Sequence, residues 1–246
     1  MKRLIIFAAA ALAMLCATSC RFVRIDESKF GGCDNNFEVN IENTGTKGTV
    51  KGSDKTTTIT YSDLDKIVAL SIDGSTDIKI RQSDKTELSL ELPENLEEYL
   101  KFEYGASACK IYLDKDYKYT NASFDIVLGT SDLESLKING GAEIAMQNME
   151  LGNLDFEING AADVDISRIK CGNFSIEING AGEVDAQMMD CKDIDIEING
   201  AGEIDLGGKC DNVDVEVNGT GSVDFSRMNC SGRKNVKKSG LVTVKY

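Results

Sequence analysis

Carboxylates and thiols recur in this sequence at a fixed step, and any chemistry it performs would have to be built from them. Asp165, Asp185, Asp205 and Asp224 stand 20, 20 and 19 residues apart. Glu157, Glu177, Glu197 and Glu216 keep the same step, and Glu143, Asp163, Glu183 and Glu203 form a third set. Columns of hard oxygen donors suit calcium, which takes roughly 6–8 oxygen ligands. Asp165, Asp185, Asp205 and Asp224 are therefore the calcium candidates. The competing reading is a solvated acidic face that discourages edge-to-edge strand pairing. That reading is preferred, because neither the calcium nonapeptide repeat nor a helical calcium loop is present, and no metal or cofactor is expected.

The thiols keep the same step. Cys171, Cys191, Cys210 and Cys230 follow Asn159, Asn179, Asn199 and Asn218 by 12, 12, 11 and 12 residues. Leu151 holds the equivalent place in the first copy. A position that accepts Leu or Cys reads most simply as an inward apolar one. Disulfides between neighbouring copies and a metal–thiolate site remain the alternatives. Cys33 and Cys109 could form a separate bridge that spacing does not establish.

There is no histidine, which removes the commonest general base and every imidazole metal ligand. A polysaccharide-acting enzyme could still use clustered acids, with Arg168 or Arg227 beside them. Glycosidases, however, need two carboxylates in different environments, and a ladder offers many in one environment. No catalytic residue is expected, and the chain is read as a non-enzyme.

The elements that carry these residues follow from the repeat. Ile138-Asn139-Gly140 returns as Ile158-Asn159-Gly160, Ile178-Asn179-Gly180, Ile198-Asn199-Gly200 and Val217-Asn218-Gly219. Each copy alternates apolar and polar residues on both sides of the Asn-Gly, as in Ile194-Asp195-Ile196-Glu197-Ile198 and Glu203-Ile204-Asp205-Leu206. Period two means strands with one buried face. Asn-Gly can close a hairpin, or it can be the corner of a coil whose successive turns stack. The identity of like positions favours stacking, with ladders of Asn139, Asn159, Asn179, Asn199 and Asn218. The predicted fold is all-β: a right-handed parallel β-helix with rungs of about 20 residues and a less regular β-rich N-terminal part. Strands are expected at Thr56–Tyr61, Ile67–Ile72, Asp77–Arg81, Glu87–Leu92, Lys110–Leu113 and Ser123–Leu128, with one helical turn near Leu92–Leu100.

Lys2 and Arg3, the apolar run Leu4 to Leu15 and then Ala17-Thr18-Ser19-Cys20 read as an export signal. The last four resemble the lipobox of bacterial lipoproteins, which makes Cys20 the lipidated first residue of the mature chain. The division is then 1–19 signal peptide, 20–36 tether, 37–134 irregular β-rich part and 135–246 repetitive part. Between Asn139 and Ser226 stand 19 acids and 4 bases, while Arg227 to Tyr246 carries 6 bases and no acids. An acidic body repels phosphate, so nucleic acid is not an expected partner.

The block Ile158-Asn159-Gly160-Ala161-Ala162-Asp163, with Ile178 to Glu183 and Ile198 to Glu203, resembles the head GIN domain of putative auto-transporter adhesins, common in Bacteroidetes lipoproteins. Leu64 to Ile78 is similar to that domain's opening strand pair, and the resemblance runs from about Ser62 to Tyr246. Many members have Ser-Gly-Ser-Gly where this chain has Asn-Gly-Ala-Gly. The resemblance implies an envelope-anchored β-helical protein and brings no catalytic residues. The expectation is a cell-envelope lipoprotein of the outer membrane, periplasmic or surface-facing, with a non-catalytic binding or structural role. Its partners would be the membrane, through the lipid anchor, and a glycan or protein surface; oligomeric state stays open. A calcium-stabilised surface scaffold is the other alternative. Any specific site should lie where the pattern breaks: before Ser135, at Ala145, in the 19-residue copy or in the basic tail.

Overall fold

Alternation with period two decides which side chains enter the core, and the computed structural model of the chain, which describes residues 47–61 and 64–246, follows it through nearly its whole length. The expected signal peptide and tether, with Cys20 and Cys33, lie outside the described residues. The strands are β1 (Thr49–Lys51), β2 (Thr56–Tyr61), β3 (Ala69–Asp73), β4 (Ser75–Gln82), β5 (Glu87–Pro93), β6 (Leu100–Gly105) and β7 (Ala108–Leu113). They continue as β8 (Lys118–Thr120), β9 (Ser123–Thr130), β10 (Ser135–Glu150), β11 (Leu154–Cys210), β12 (Asn212–Cys230) and β13 (Lys234–Lys245). One 3-10 turn, Glu94–Tyr99, follows Pro93 and buries Leu96. The described residues are nearly all β.

Pairing in the repetitive part is parallel, so Asn-Gly does not close hairpins. Asn139 faces Asn159 and Gly140 faces Gly160 between β10 and β11; Asn199 faces Asn218 and Gly200 faces Gly219 between β11 and β12. Antiparallel pairs occur between β2 and β5, β5 and β9, and β6 and β7. The chain turns its corner at glycines that sit at positive φ, +153° at Gly180. There the coils approach so closely that a Cβ on Gly180 would stand 1.7 Å from the carbonyl oxygen of Gly160. Only glycine allows both the backbone angle and the approach.

The registers extend this pattern beyond the five asparagines. Asn139 pairs with Asp73, and Gly74 repeats the corner at φ +147°. β3 and β4 thus form one further coil, and β7 and β9 pair in parallel outside them. At the other end Ser239 faces Asn218 and Gly240 faces Gly219. The offset of 66 residues between Asp73 and Asn139 hides the first corner from a search at a 20-residue period, since β5 to β9 are inserted there.

Inward columns make the core. Ile138, Ile158, Ile178, Ile198 and Val217 are buried, as are Ile144, Val164, Val184, Ile204 and Val223. Phe124, Phe156, Phe174 and Phe225 are the largest fully buried side chains, and Phe156 meets Phe174 edge to face with ring centres 5.9 Å apart. Each buried side chain of this size is worth about 1.5–3 kcal/mol.

Candidate functional site

The polar columns stand on the outside of this stack, and each asparagine has two uses for its side-chain amide. Asn159, Asn179, Asn199 and Asn218 each donate from Nδ2 to the Oδ1 of the asparagine one coil earlier, at 3.0, 3.1, 3.0 and 2.9 Å. The second Nδ2 proton of each reaches the Oε1 of the glutamate two residues earlier in its own strand. Asn159 bonds Glu157 at 3.1 Å, Asn179 bonds Glu177 at 2.8 Å, Asn199 bonds Glu197 at 2.9 Å and Asn218 bonds Glu216 at 3.3 Å. Residues i and i+2 share one face of a strand. The Glu-x-Asn spacing was therefore the legible signal that the glutamate and asparagine columns form one network.

The glutamate column ends in lysine on both sides. Lys137 occupies the position before Glu157 and binds it at 2.6 Å, and Lys237 reaches Glu216 at 3.6 Å. The hydrogen bond from Lys137, aided by Asn159, holds Glu157 below the usual carboxylate range. Asn139, first of the ladder, donates to Asp73 at 2.7 Å. Burial works against the charge on Asp73, but bonds from Asn139 and Lys115, with the charges of Lys110 and Lys115, hold it below its ordinary value.

Asp165, Asp185, Asp205 and Asp224 fall in one outward column, as their spacing requires. Ala145 and then Lys79 precede Asp165 in register, and Lys245 follows Asp224, which it binds at 2.7 Å. The basic tail is thus the last coil, laid against the acidic edge: Arg233 also pairs with Asp214, and Arg227 with Asp205. Arg168 and Arg227 are not brought together. Arg168 bonds Asn148 at 2.5 Å, and Arg227 lies three coils away, roughly 14 Å along the stack. Arg168 belongs to a second corner, with Asn148 and Met188 also at positive φ.

One column has no lysine along its carboxylate run. Asp125 faces Asp77, Asp77 faces Glu143, Glu143 faces Asp163, and Glu183 and Glu203 continue the line. Glu91 stands opposite Asp125 on β5. Desolvation, then repulsion from Asp165 and Asp185, raises the pKa of Asp163; desolvation, then Asp163, Glu203 and Asp185, raises that of Glu183. Asp125 is raised for the same reasons by Asp77 and Glu91. The charge of this column is opposed rather than satisfied. Among the described residues, no three acidic or thiol groups converge closely enough to hold a metal ion.

The 19-residue copy resolves into a bulge. Asp205 faces Asp224 at an offset of 19, and Gly207 faces Arg227 at an offset of 20. At Gly207 a Cβ would meet the Gln187 amide oxygen at 2.2 Å, which the flexible glutamine side chain could relieve by moving. Leu151, Cys171, Cys191 and Cys210 are buried and Cys230 is half-buried. The Sγ atoms of Cys171 and Cys191 stand 2.7 Å apart, as do those of Cys210 and Cys230. The hydrogen bond with Cys171, together with burial, pushes the Cys191 thiol up, and the same bond pulls Cys171 down. Cys109 is buried in register with Leu70, and burial raises its thiol to about 12.

The irregular part holds six of the seven tyrosines. Tyr99, Tyr117 and Tyr119 cluster, with Tyr99 edge-on to the other two at 4.9 and 5.8 Å, and the Lys47 ammonium lies 5.7 Å from the Tyr117 ring centre. Tyr112 lies beneath the ammonium groups of Lys110 and Lys115, at 5.3 and 5.4 Å. No spacing signal in the sequence pointed to these groupings, since they join residues from separate strands and loops.

Residues 65–241 match the model of a family described as "Putative auto-transporter adhesin, head GIN domain". A crystal structure of a putative adhesin from Parabacteroides distasonis is 17% identical, with a TM-score of 0.61, covering 80% of this chain and 99% of that one. A putative adhesin from Bacteroides fragilis is 20% identical, with a TM-score of 0.55 and the same coverage. A protein described as a putative lipid binding protein from Parabacteroides distasonis is 16% identical, with a TM-score of 0.56, covering 80% of this chain and all of that one. At these identities the likeness is one of fold. No curated protein matches the chain.

Proposed function

The chain belongs to the head GIN family of putative auto-transporter adhesins, and from that premise we propose that it is a non-catalytic adhesin of the cell envelope. In this reading residues 1–19 direct export, Cys20 carries the lipid that anchors the protein to the outer membrane, and residues 20–36 are the tether. The repetitive part, 135–246, is a right-handed parallel β-helix with rungs of about 20 residues that acts as a scaffold. The binding surface lies in the irregular part, 37–134, and takes a glycan or a protein surface.

The observation that carries this reading is that three outward columns of the repeat, Asn139 to Asn218, Glu157 to Glu216 and Asp165 to Asp224, already have structural partners, the Glu143 to Glu203 column being the exception. Asparagines bond asparagines and glutamates, and lysines close the glutamate and aspartate columns. Outside the repeat stand the half-buried aromatic groupings around Tyr99, Tyr117, Tyr119 and Tyr112, of which Tyr99 and Tyr119 also rest on the core. Aromatic side chains are enriched where proteins bind partners.

Two experiments test the proposal. A glycan array probed with the purified chain, run beside a reducing-sugar assay on the same glycans, should give binding without sugar release. Release of reducing sugar would overturn the non-catalytic reading. Fractionation of cells producing the full chain should place it in the membrane pellet, and Cys20→Ala should move it to the soluble fraction. A Cys20→Ala protein that stays with the membrane would overturn the anchor.

A further inference from the structure

Four thiols in one column, brought together two by two, ask for a chemical account that a merely apolar ladder does not give. Cys171 and Cys191 are one coil apart with Sγ atoms at 2.7 Å, and Cys210 and Cys230 repeat the arrangement. Cys210 and Cys230 are register partners in parallel strands. Neighbouring strands stand about 4.8 Å apart, inside the roughly 4.4–6.8 Å between Cα atoms that a disulfide spans. We propose that the column is oxidised to two disulfides, Cys171–Cys191 and Cys210–Cys230, each tying one coil of the stack to the next.

Placement supports the pairing. The column reads Leu151, Cys171, Cys191, Cys210, Cys230 at nearly even steps, and the sulfur contacts divide the four cysteines into two adjacent couples. The second couple joins β11 to β12 at the end of the stack, where only β13 lies beyond. A coil near the end has fewer neighbours to hold it, and terminal units of repeat proteins need special capping. A metal–thiolate site would need further ligands. Each couple offers two sulfurs, and no third acidic or thiol group joins them among the described residues.

The inference rests on the proposed export of the chain, because disulfides persist in oxidising compartments. The oxidant is a small-molecule or protein disulfide, RSSR. The Cys171 thiolate attacks one of its sulfurs, forming a mixed disulfide and releasing RS⁻, which takes up the proton lost by Cys171. The Cys191 thiolate then attacks the Cys171 sulfur, closing the protein bridge and releasing the second thiolate, which takes up the proton of Cys191. Two protein thiols are oxidised and one RSSR is reduced to two RSH; the second couple reacts alike. The exchange takes place as the coils dock, before the sulfurs are buried.

The full chain, purified in reductant and unfolded, is refolded into buffered oxidised and reduced glutathione. It is then denatured, alkylated without further reduction and digested for mass spectrometry. The expected result is linked peptides for Cys171–Cys191 and Cys210–Cys230, a mass deficit of about 2 Da per bridge, and an alkylated Cys109. Alkylation of all four column cysteines overturns the proposal, as does a Cys191–Cys210 link or persistent glutathione adducts on the column. Because the oxidant is supplied in the tube, the result does not depend on where the cell sends the protein. A Cys191→Ser variant, taken through the same procedure, should keep the Cys210–Cys230 link and leave Cys171 alkylated. Loss of both links in that variant would also overturn the pairing.

Discussion

Replacing Gly180 with alanine tests the close approach of the coils at the Asn-Gly corner. A Cβ there would lie 1.7 Å from the Gly160 carbonyl oxygen, and real contacts of this kind are essentially never under 3.0 Å, so the coils must part by about 1.3 Å. The backbone at φ +153° adds strain of about 1–3 kcal/mol for a residue with a side chain. Parting these two coils breaks or weakens the bond of Asn179 to Asn159, which stands at 3.1 Å. It is worth about 1 kcal/mol. The expected loss is about 2–4 kcal/mol, a large share of the roughly 5–15 kcal/mol that stabilises a typical domain. Gly152→Ala is the control, because a Cβ there meets nothing within 4 Å. Urea unfolding followed by far-ultraviolet circular dichroism suits a chain without tryptophan. A difference between the two variants below about 1 kcal/mol would refute the reasoning, since the ordinary surface change is within about 0.5 kcal/mol.

Asn199→Ala removes the ladder bonds to Asn179 and from Asn218 and the bond to Glu197, and should cost about 1–3 kcal/mol in the same assay. Phe174→Ala opens a cavity beside Phe156 and should cost about 3–5 kcal/mol. Glu183 has a raised pKa in the fold, so its contribution is present below the unfolded value near 4.5 and is lost as pH rises through the folded value. Glu183→Gln should therefore melt higher than the wild type at pH 7, and the two should converge toward pH 4. Asp73 is shifted the other way, so its contribution is present above the unfolded value near 3.8 and is lost as pH falls through the folded value. Asp73→Asn should lower the melting temperature at pH 7, with a deficit that shrinks as pH falls below 3.8.

Much of this was legible because stacking writes the same residue at each level. The spacing of Asn139 to Asn218 gave the corners, and the alternation around Ile158 or Ile198 gave the buried face. Positions set by chain-distant partners were not legible. Asp73-Gly74 is a corner like the others, but six strands separate it from Asn139, and an acid replaces the amide. Ser239-Gly240 lacks the asparagine altogether. The lysines that close the acidic columns were visible as residues, yet Lys79, Lys137, Lys237 and Lys245 acquire that meaning only through register. The aromatic groupings of the irregular part depend on loops whose course no periodicity encodes.

The central claim is that the repeat is scaffold and the irregular part binds. Affinity for whatever glycan or protein the array or a surface screen identifies should be measured by calorimetry for three chains: wild type, Tyr99→Ala/Tyr117→Ala, and Glu183→Gln/Glu203→Gln. The account predicts a loss of at least about tenfold, or about 1.4 kcal/mol, for the tyrosine variant, and an unchanged affinity for the glutamate variant, with both still folded. Unchanged binding by the tyrosine variant together with a tenfold loss in the glutamate variant would contradict it.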